Sequence, residues 1–130
     1  MGTEAAQATL YSRLGGVYAI AAVVDDFIGR AMDDPALNAN QRVDEAHHRV
    51  SRAGFKYLVT EMVCWASGGP QQYTGRGMEE SHRDLRITGP EWEVFCRDFQ
   101  ASLDRFGVPG AEQRELFAIV GSTRDAIVTT

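Results

Sequence analysis

The sequence predicts an all-α fold. Long stretches place apolar residues at i, i+3, i+4 spacing, the repeat of one helix face. No stretch alternates apolar and polar residues for long enough to make a strand. Helix caps and stops, Thr or Ser at starts and Gly or Pro at ends, separate the periodic stretches.

The elements follow in order. Residues 1–8 read as a flexible N-terminal leader, and 9–130 as a single domain, the chain being too short at 130 residues for two cores. Thr9 caps a short helix through Leu14, which Gly15-Gly16 ends. Ile20, Val23, Val24, Phe27, Ile28 and Ala31 form the stripe of a helix over 17–32, stopped at Asp33-Asp34-Pro35. The polar stretch 37–50 reads as a loop carrying one helical turn. Ser51 caps a helix over 51–67 whose core face is Phe55, Leu58, Val59, Met62, Val63 and Ala66, leaving Arg52, Lys56, Thr60 and Glu61 to the flanks and solvent. Thr88 and Glu91 form a capping-box pattern for a helix over 90–106, the most aromatic part of the chain. Pro109 opens a last helix over 111–128, with Leu116, Phe117, Val120 and Ile127 inward.

Composition narrows the function classes. The net charge is −5 and Lys56 is the single lysine, which argues against a nucleic-acid or anionic-membrane surface. No apolar run approaches the ~20 residues of a membrane span, and the N-terminus lacks the basic start and apolar core of a signal peptide, so a cytoplasmic location is expected. Cys64 and Cys96 fall in helical apolar patterns without zinc-like spacing and read as small buried hydrophobes. Asp44-Glu45-Ala46-His47 is a string known from helicases, but no phosphate-binding loop accompanies it. His47-His48 lacks the spacing of a zinc site, and the bland reading is a solvated turn.

The stretch Gly68–Thr88 carries the chemistry. Four glycines and Pro70 make an irregular loop that feeds a short helical piece, 78–85, with Met78, His82 and Leu85 on one face. An imidazole is thus presented inward from a short helix on a permissive tether, which suits a single axial ligand to iron. Alone, an inward histidine is more often a hydrogen-bonded core residue.

Several spaced motifs agree in order: Leu10-Tyr11, Leu14-Gly15-Gly16, Val23-Val24-Asp25-Asp26-Phe27, Gly68-Gly69-Pro70, Tyr73-Thr74-Gly75, Met78, His82, Ile87-Thr88 and Gly107-Val108-Pro109. Together they closely resemble the group I truncated haemoglobins, over about residues 9 to 128 and in register except between Pro35 and Ser51. The resemblance implies a two-over-two helical sandwich around haem b. Helices 17–32 with 51–67, and 90–106 with 111–128, would form the antiparallel pairs, with His82 as the proximal iron ligand. It further implies apolar haem contacts from Phe27, Phe55, Val59, Met62, Met78, Ile87, Trp92 and Phe95, closure of the rear of the pocket by Phe117 and Val120, and a propionate contact from Tyr73. The partners it implies are O2, NO or CO, with NO dioxygenation or redox activity, and an unidentified reductase, as open enzymatic readings.

The departures bear on mechanism. Where the family usually has a tyrosine after the phenylalanine, its hydroxyl donating to the bound gas, this chain has Ile28. A usual glutamine on the distal helix is replaced by Val59, a family phenylalanine is missing, and the segment 38–50 is longer. That segment supplies His47 and His48 as distal candidates, either as hydrogen-bond donors or as a sixth iron ligand in a redox or gas-sensing protein. A helical interaction module without haem is the remaining alternative.

Overall fold

The computed structural model describes residues 8–128, so residues 1–7 of the expected leader lie outside the described residues. Among those described, the chain forms nine helices: α1 Leu10–Leu14, α2 Gly16–Asp33, α3 Pro35–Asn38, α4 Gln41–Arg49, α5 Arg52–Ala66, α6 Met78–His82, α7 Gly89–Arg105, α8 Gly110–Gly121 and α9 Arg124–Ile127. The one β pairing among the described residues is an isolated parallel bridge between Ile87 and Val128.

Local chemistry sets the boundaries. The Thr9 hydroxyl accepts from the Ser12 amide, and Gly15, at φ 103°, ends α1 in the left-handed region that glycine tolerates. Ser51 caps α5 through the Gly54 amide. Thr88 and Glu91 complete a reciprocal capping box at the start of α7.

α2 is the central element, packed against α5 on one side and α7 on the other. Its buried stripe, Ile20, Val24, Phe27, Ile28 and Ala31, meets Cys64 of α5, Phe99 and Leu103 of α7, and Leu116 of α8 in one core. The Phe27 ring lies 5.0 Å from both Phe95 and Phe99, and Phe99 lies edge-on to Phe117 of α8 at 5.2 Å. Aromatic pairs of this kind add about 0.5–1.5 kcal/mol each beyond their area. Asp26 reinforces the α2–α7 contact by accepting from Ser102 Oγ at 2.7 Å and pairing with Arg105. With α2 and α5 as one pair and α7 and α8 as the other, the arrangement is the expected two-over-two sandwich.

Three expectations about elements need correction. The stretch 37–50, expected to be a loop with one turn, contains α3 and the nine-residue α4. Asp34 caps α3 through the Ala36 amide, and Asn40 caps α4 through the amides of Arg42 and Val43. α4 lies on the surface with Val43 its one fully buried residue, so its composition looks like loop. The last helix does not run unbroken over 111–128: it stops at Gly121 and resumes at Arg124. The hydroxyls of Ser122 and Thr123 donate to the carbonyls of Ile119 and Val120, competing with the helical ladder there. The proximal piece, expected over 78–85, ends at His82.

Glu61 was expected on the flank or solvent side of its helix, yet it is buried. One carboxylate oxygen accepts from both the amide and the hydroxyl of Thr74, each at 2.6 Å. These bonds hold the Glu61 carboxyl below its ordinary pKa and fasten the glycine-rich loop to α5. Cys64 is buried, Cys96 half-buried, and both are free thiols.

Candidate functional site

The apolar face of α5 is only half-buried at Phe55, Leu58, Val59, Met62 and Val63, because it faces a cavity rather than another helix. The cavity measures about 830 Å³, within the roughly 300–1,000 Å³ typical of cofactor and ligand sites. Its walls come from α2, α4, α5, the segment 76–92 and α7–α9, with Leu14 of α1 and Leu37 of α3.

Eleven of the residues expected to contact the cofactor line this cavity. Phe27 and Ile28 come from α2; Phe55, Val59 and Met62 from α5; Met78 and His82 from α6; Ile87, Trp92 and Phe95 from the next segment and α7; Val120 from α8. Two do not. Tyr73 stacks on Trp65 at 6.3 Å, and its hydroxyl donates to the Arg76 carbonyl at 2.6 Å, which turns it away from the cavity. Phe117 is held behind Phe99 rather than at the rear wall. Sequence reasoning passed over Arg49 and Arg76, which bring cations to the cavity. The signal for Arg76 was its place two residues before Met78, and Arg49 was hidden in the segment read as loop.

His82 has a defined arrangement. Its Nδ1 lies 2.9 Å from the Met78 carbonyl, one helical turn back, and 2.9 Å from the Ser81 hydroxyl. A carbonyl only accepts, so Nδ1 carries the proton and Nε2 keeps its lone pair. Burial pushes the His82 pKa down, partly offset by the Met78 bond, and so favours neutral imidazole. Nε2 has no hydrogen-bond partner among the described residues. A neutral imidazole with Nδ1–H bound to a carbonyl and Nε2 free is the form in which histidine ligates metals. Among the described residues no group of three or more His, Cys, Asp or Glu side chains could hold a metal ion by itself, so one histidine facing an apolar slot fits a metal carried by a macrocycle.

The two distal candidates part company. His47 is half-buried in the cavity wall, and burial lowers its pKa. His48 is exposed, its Nδ1 2.7 Å from the Asp44 carbonyl, and does not line the cavity. Ile28 is 2% exposed, and neither it nor Val59 offers a hydrogen-bond donor.

α4 also closes one side of the cavity. Asn40 Nδ2 donates to the Leu85 carbonyl at 3.0 Å and to Glu91 at 3.2 Å, and Arg42 donates to the Asp84 carbonyl at 3.1 Å. The start of α4 is thereby strapped to the segment that follows His82.

A helical sandwich enclosing an apolar slot, with one carbonyl-anchored histidine facing it, defines the class of the haem-binding globins. The chain belongs to the bacterial-like globin family, which matches residues 9–129. It is 32% identical over 119 residues to the group 1 truncated hemoglobin GlbN of Synechocystis, covering 88% of this chain and 90% of that one. It is 26% identical over 126 residues to the group 1 truncated hemoglobin GlbN of Mycolicibacterium paratuberculosis, covering 97% of this chain and 88% of that one. Among solved structures, the 2/2 hemoglobin of Synechococcus in its cyanomet state with covalently attached heme superposes with a TM-score of 0.78. That pair is 25% identical, with 93% of this chain and 98% of that chain covered. Truncated hemoglobin from Tetrahymena pyriformis in the Fe(III) form gives a TM-score of 0.79 at 24% identity, over 95% and 100% of the two chains, a likeness of fold. Membership in this family makes haem-based binding of a diatomic gas such as O2 the chain's activity. No helix among the described residues is long and apolar enough to cross a membrane.

Proposed function

We propose that residues 9–130 act as one domain, in the cytoplasm, that holds haem b through His82 Nε2 and binds NO, CO or O2 on the opposite face. The observation that carries this reading is the His82 imidazole, anchored through Nδ1 on the Met78 carbonyl and facing the apolar cavity. Phe27, Ile28, Phe55, Val59, Met62, Met78, Ile87, Trp92, Phe95 and Val120 make the apolar bed of the macrocycle. Arg49 and Arg76 are the cations available to its propionates, in place of Tyr73.

Haem, when bound, would supply an iron able to take a diatomic gas; His82 would hold it, and Ile28 and Val59 would set the polarity of the facing wall. A wall of Ile28 and Val59 offers no donor to a gas with negative charge on its outer atom, and so supports NO or CO more than O2. NO dioxygenation would be the enzymatic form of this reading, with an unidentified reductase as the electron source. A second reading, a redox or gas-sensing protein with an internal distal ligand, is favoured by the place of His47 in the cavity wall.

Purified protein should show a Soret band, and His82→Ala should lose most of its haem and regain the spectrum with added imidazole. Full haem retention and an unchanged spectrum in His82→Ala would overturn the assignment of the proximal ligand.

A further inference from the structure

We infer that Asn40 is a positioning residue for the proximal histidine: it holds a strained turn at Arg86 in place and, through Leu85, sets the position of His82 as the iron's ligand. The inference rests on the haem reading above and deepens it. α6 does little to place its own histidine. It has five residues, none of them buried, and its cap, Gly77, makes no side-chain hydrogen bond. A helix this short is not stable by itself, so contacts from elsewhere fix its direction. α9 packs on it. The rest of the hold falls on the residues that follow. The Leu85 amide donates to the His82 carbonyl at 3.0 Å, so Leu85 and the end of α6 move together.

That following segment is gripped at three points. Asn40 Nδ2 donates to the Leu85 carbonyl, Arg42 donates to the Asp84 carbonyl, and Ile87 pairs with Val128. Between the grips stands Arg86 at φ 53°, the one non-glycine residue with a positive φ among the described residues. A Cβ makes this region costly, so a residue stays there only where its surroundings enforce it. The Arg86 side chain is exposed and makes no hydrogen bond or ion pair among the described residues, so the enforcement comes from its neighbours. Asn40 has the geometry for it. Its Oδ1 accepts from the amides of Arg42 and Val43, which leaves Nδ2 to face the Leu85 carbonyl and Glu91. Glu91 also accepts from the Thr88 amide in the capping box, so the anchor is the fixed start of α7. The same α4 carries His47 and Arg49 into the cavity wall. One side chain thus ties that wall to the segment that holds His82.

Resonance Raman of the ferrous holoprotein, in the iron–histidine stretching band, tests this together with amide exchange at Leu85 in the apoprotein. Asn40→Ser keeps a cap on α4 but is too short to reach Leu85. It should shift the band and speed Leu85 exchange about fivefold, the effect of losing one net hydrogen bond. Arg86→Gly adopts the same turn without strain, so alone it should leave the band where it is. In the double variant the turn has no strain to release, and the shift should be smaller than in Asn40→Ser. Glu45→Gly, an exposed change that weakens α4 and leaves Asn40 in place, should not move the band. A band unmoved by Asn40→Ser, or moved as far by Glu45→Gly, would overturn the inference and leave the haem reading intact. A double variant shifted as far as Asn40→Ser would overturn it too, since strain at Arg86 would then drive nothing. Absence of a Soret band from wild type would overturn both readings.

Discussion

Replacing Ile28 by tyrosine tests how the distal wall sets gas preference. Ile28 is 2% exposed, stands in the α2 stripe beside Phe27, and lines the cavity that His82 of α6 also lines. A tyrosine there projects its ring into cavity space and brings a hydroxyl to a wall that otherwise has apolar carbon at Ile28 and Val59. A dioxygen ligand carries partial negative charge, so the added hydrogen bond is charge-assisted, about 1.5–3 kcal/mol. At 1.36 kcal/mol per decade, that slows O2 release roughly ten- to a hundredfold. Carbon monoxide carries far less charge, so its release should change little. The larger ring costs stability, about 1–3 kcal/mol if neighbours must move, and less where the cavity accepts it. Stopped-flow dissociation of O2 and CO, on wild type and Ile28→Tyr, gives the two ratios. Equal O2 off-rates in a variant that still holds haem would refute the placement of Ile28 over the iron.

Two further predictions concern carboxylates. Asp98 Oδ2 is buried with no donor facing it, and burial together with the neighbouring Asp34 carboxylate raises the Asp98 pKa to about 6. A raised acid pKa means that the stability present below the unfolded value of 3.8 is lost as pH rises through about 6. After discounting for solvent screening, Asp98→Asn should gain about 1 kcal/mol at pH 7.5 and nothing at pH 3.5, read by denaturant titration; an equal effect at both pH values would reject the pairing with Asp34. The Glu61 carboxylate, held below its ordinary pKa by Thr74, contributes stability above its unfolded pKa that is lost as pH falls. Glu61→Gln should therefore speed amide exchange at Thr74 and haem loss at neutral pH, and unchanged exchange there would mean that the loop is held by other contacts.

α2, α5 and α7 were legible because each carries one continuous apolar stripe: Ile20 to Ala31 in α2 repeats at 3.6 residues whatever surrounds it. His82 was legible for a related reason, as an imidazole on the apolar face of a short helix framed by glycines. α4 was not, because a surface helix needs few apolar residues. Val43, Ala46, His47 and Val50 do fall at i, i+3, i+4 and i+7, but a histidine among four positions blunts the pattern. Periodicity also misplaced Glu61, since a carboxylate on a flank can turn inward when a loop amide and hydroxyl meet it. Tyr73 and Phe117 stand near the site in sequence, but their directions depend on partners elsewhere in the chain, Trp65 and the Arg76 carbonyl for one and Phe99 for the other. That Arg49 lines the cavity could be seen only from the cavity's shape, since its segment reads as loop.

The strap from Asn40 and Arg42 to Leu85, Asp84 and Glu91 would couple cofactor loading to the folding of α4. It joins the stretch that opens the distal side to the stretch that follows the proximal histidine, turning a cleft between two walls into a ring. A flat cofactor about to load meets either an open clasp or a closed one. If it enters while α4 is still unfolded, closing the clasp afterwards retains it; if α4 closes first, loading waits for local unfolding. Retention is then governed by the opening frequency of a small surface helix, and not by the strength of the iron–histidine bond alone. Asn40 and Arg42, which hold the clasp shut, would thus act beside His82 in setting how long the cofactor stays.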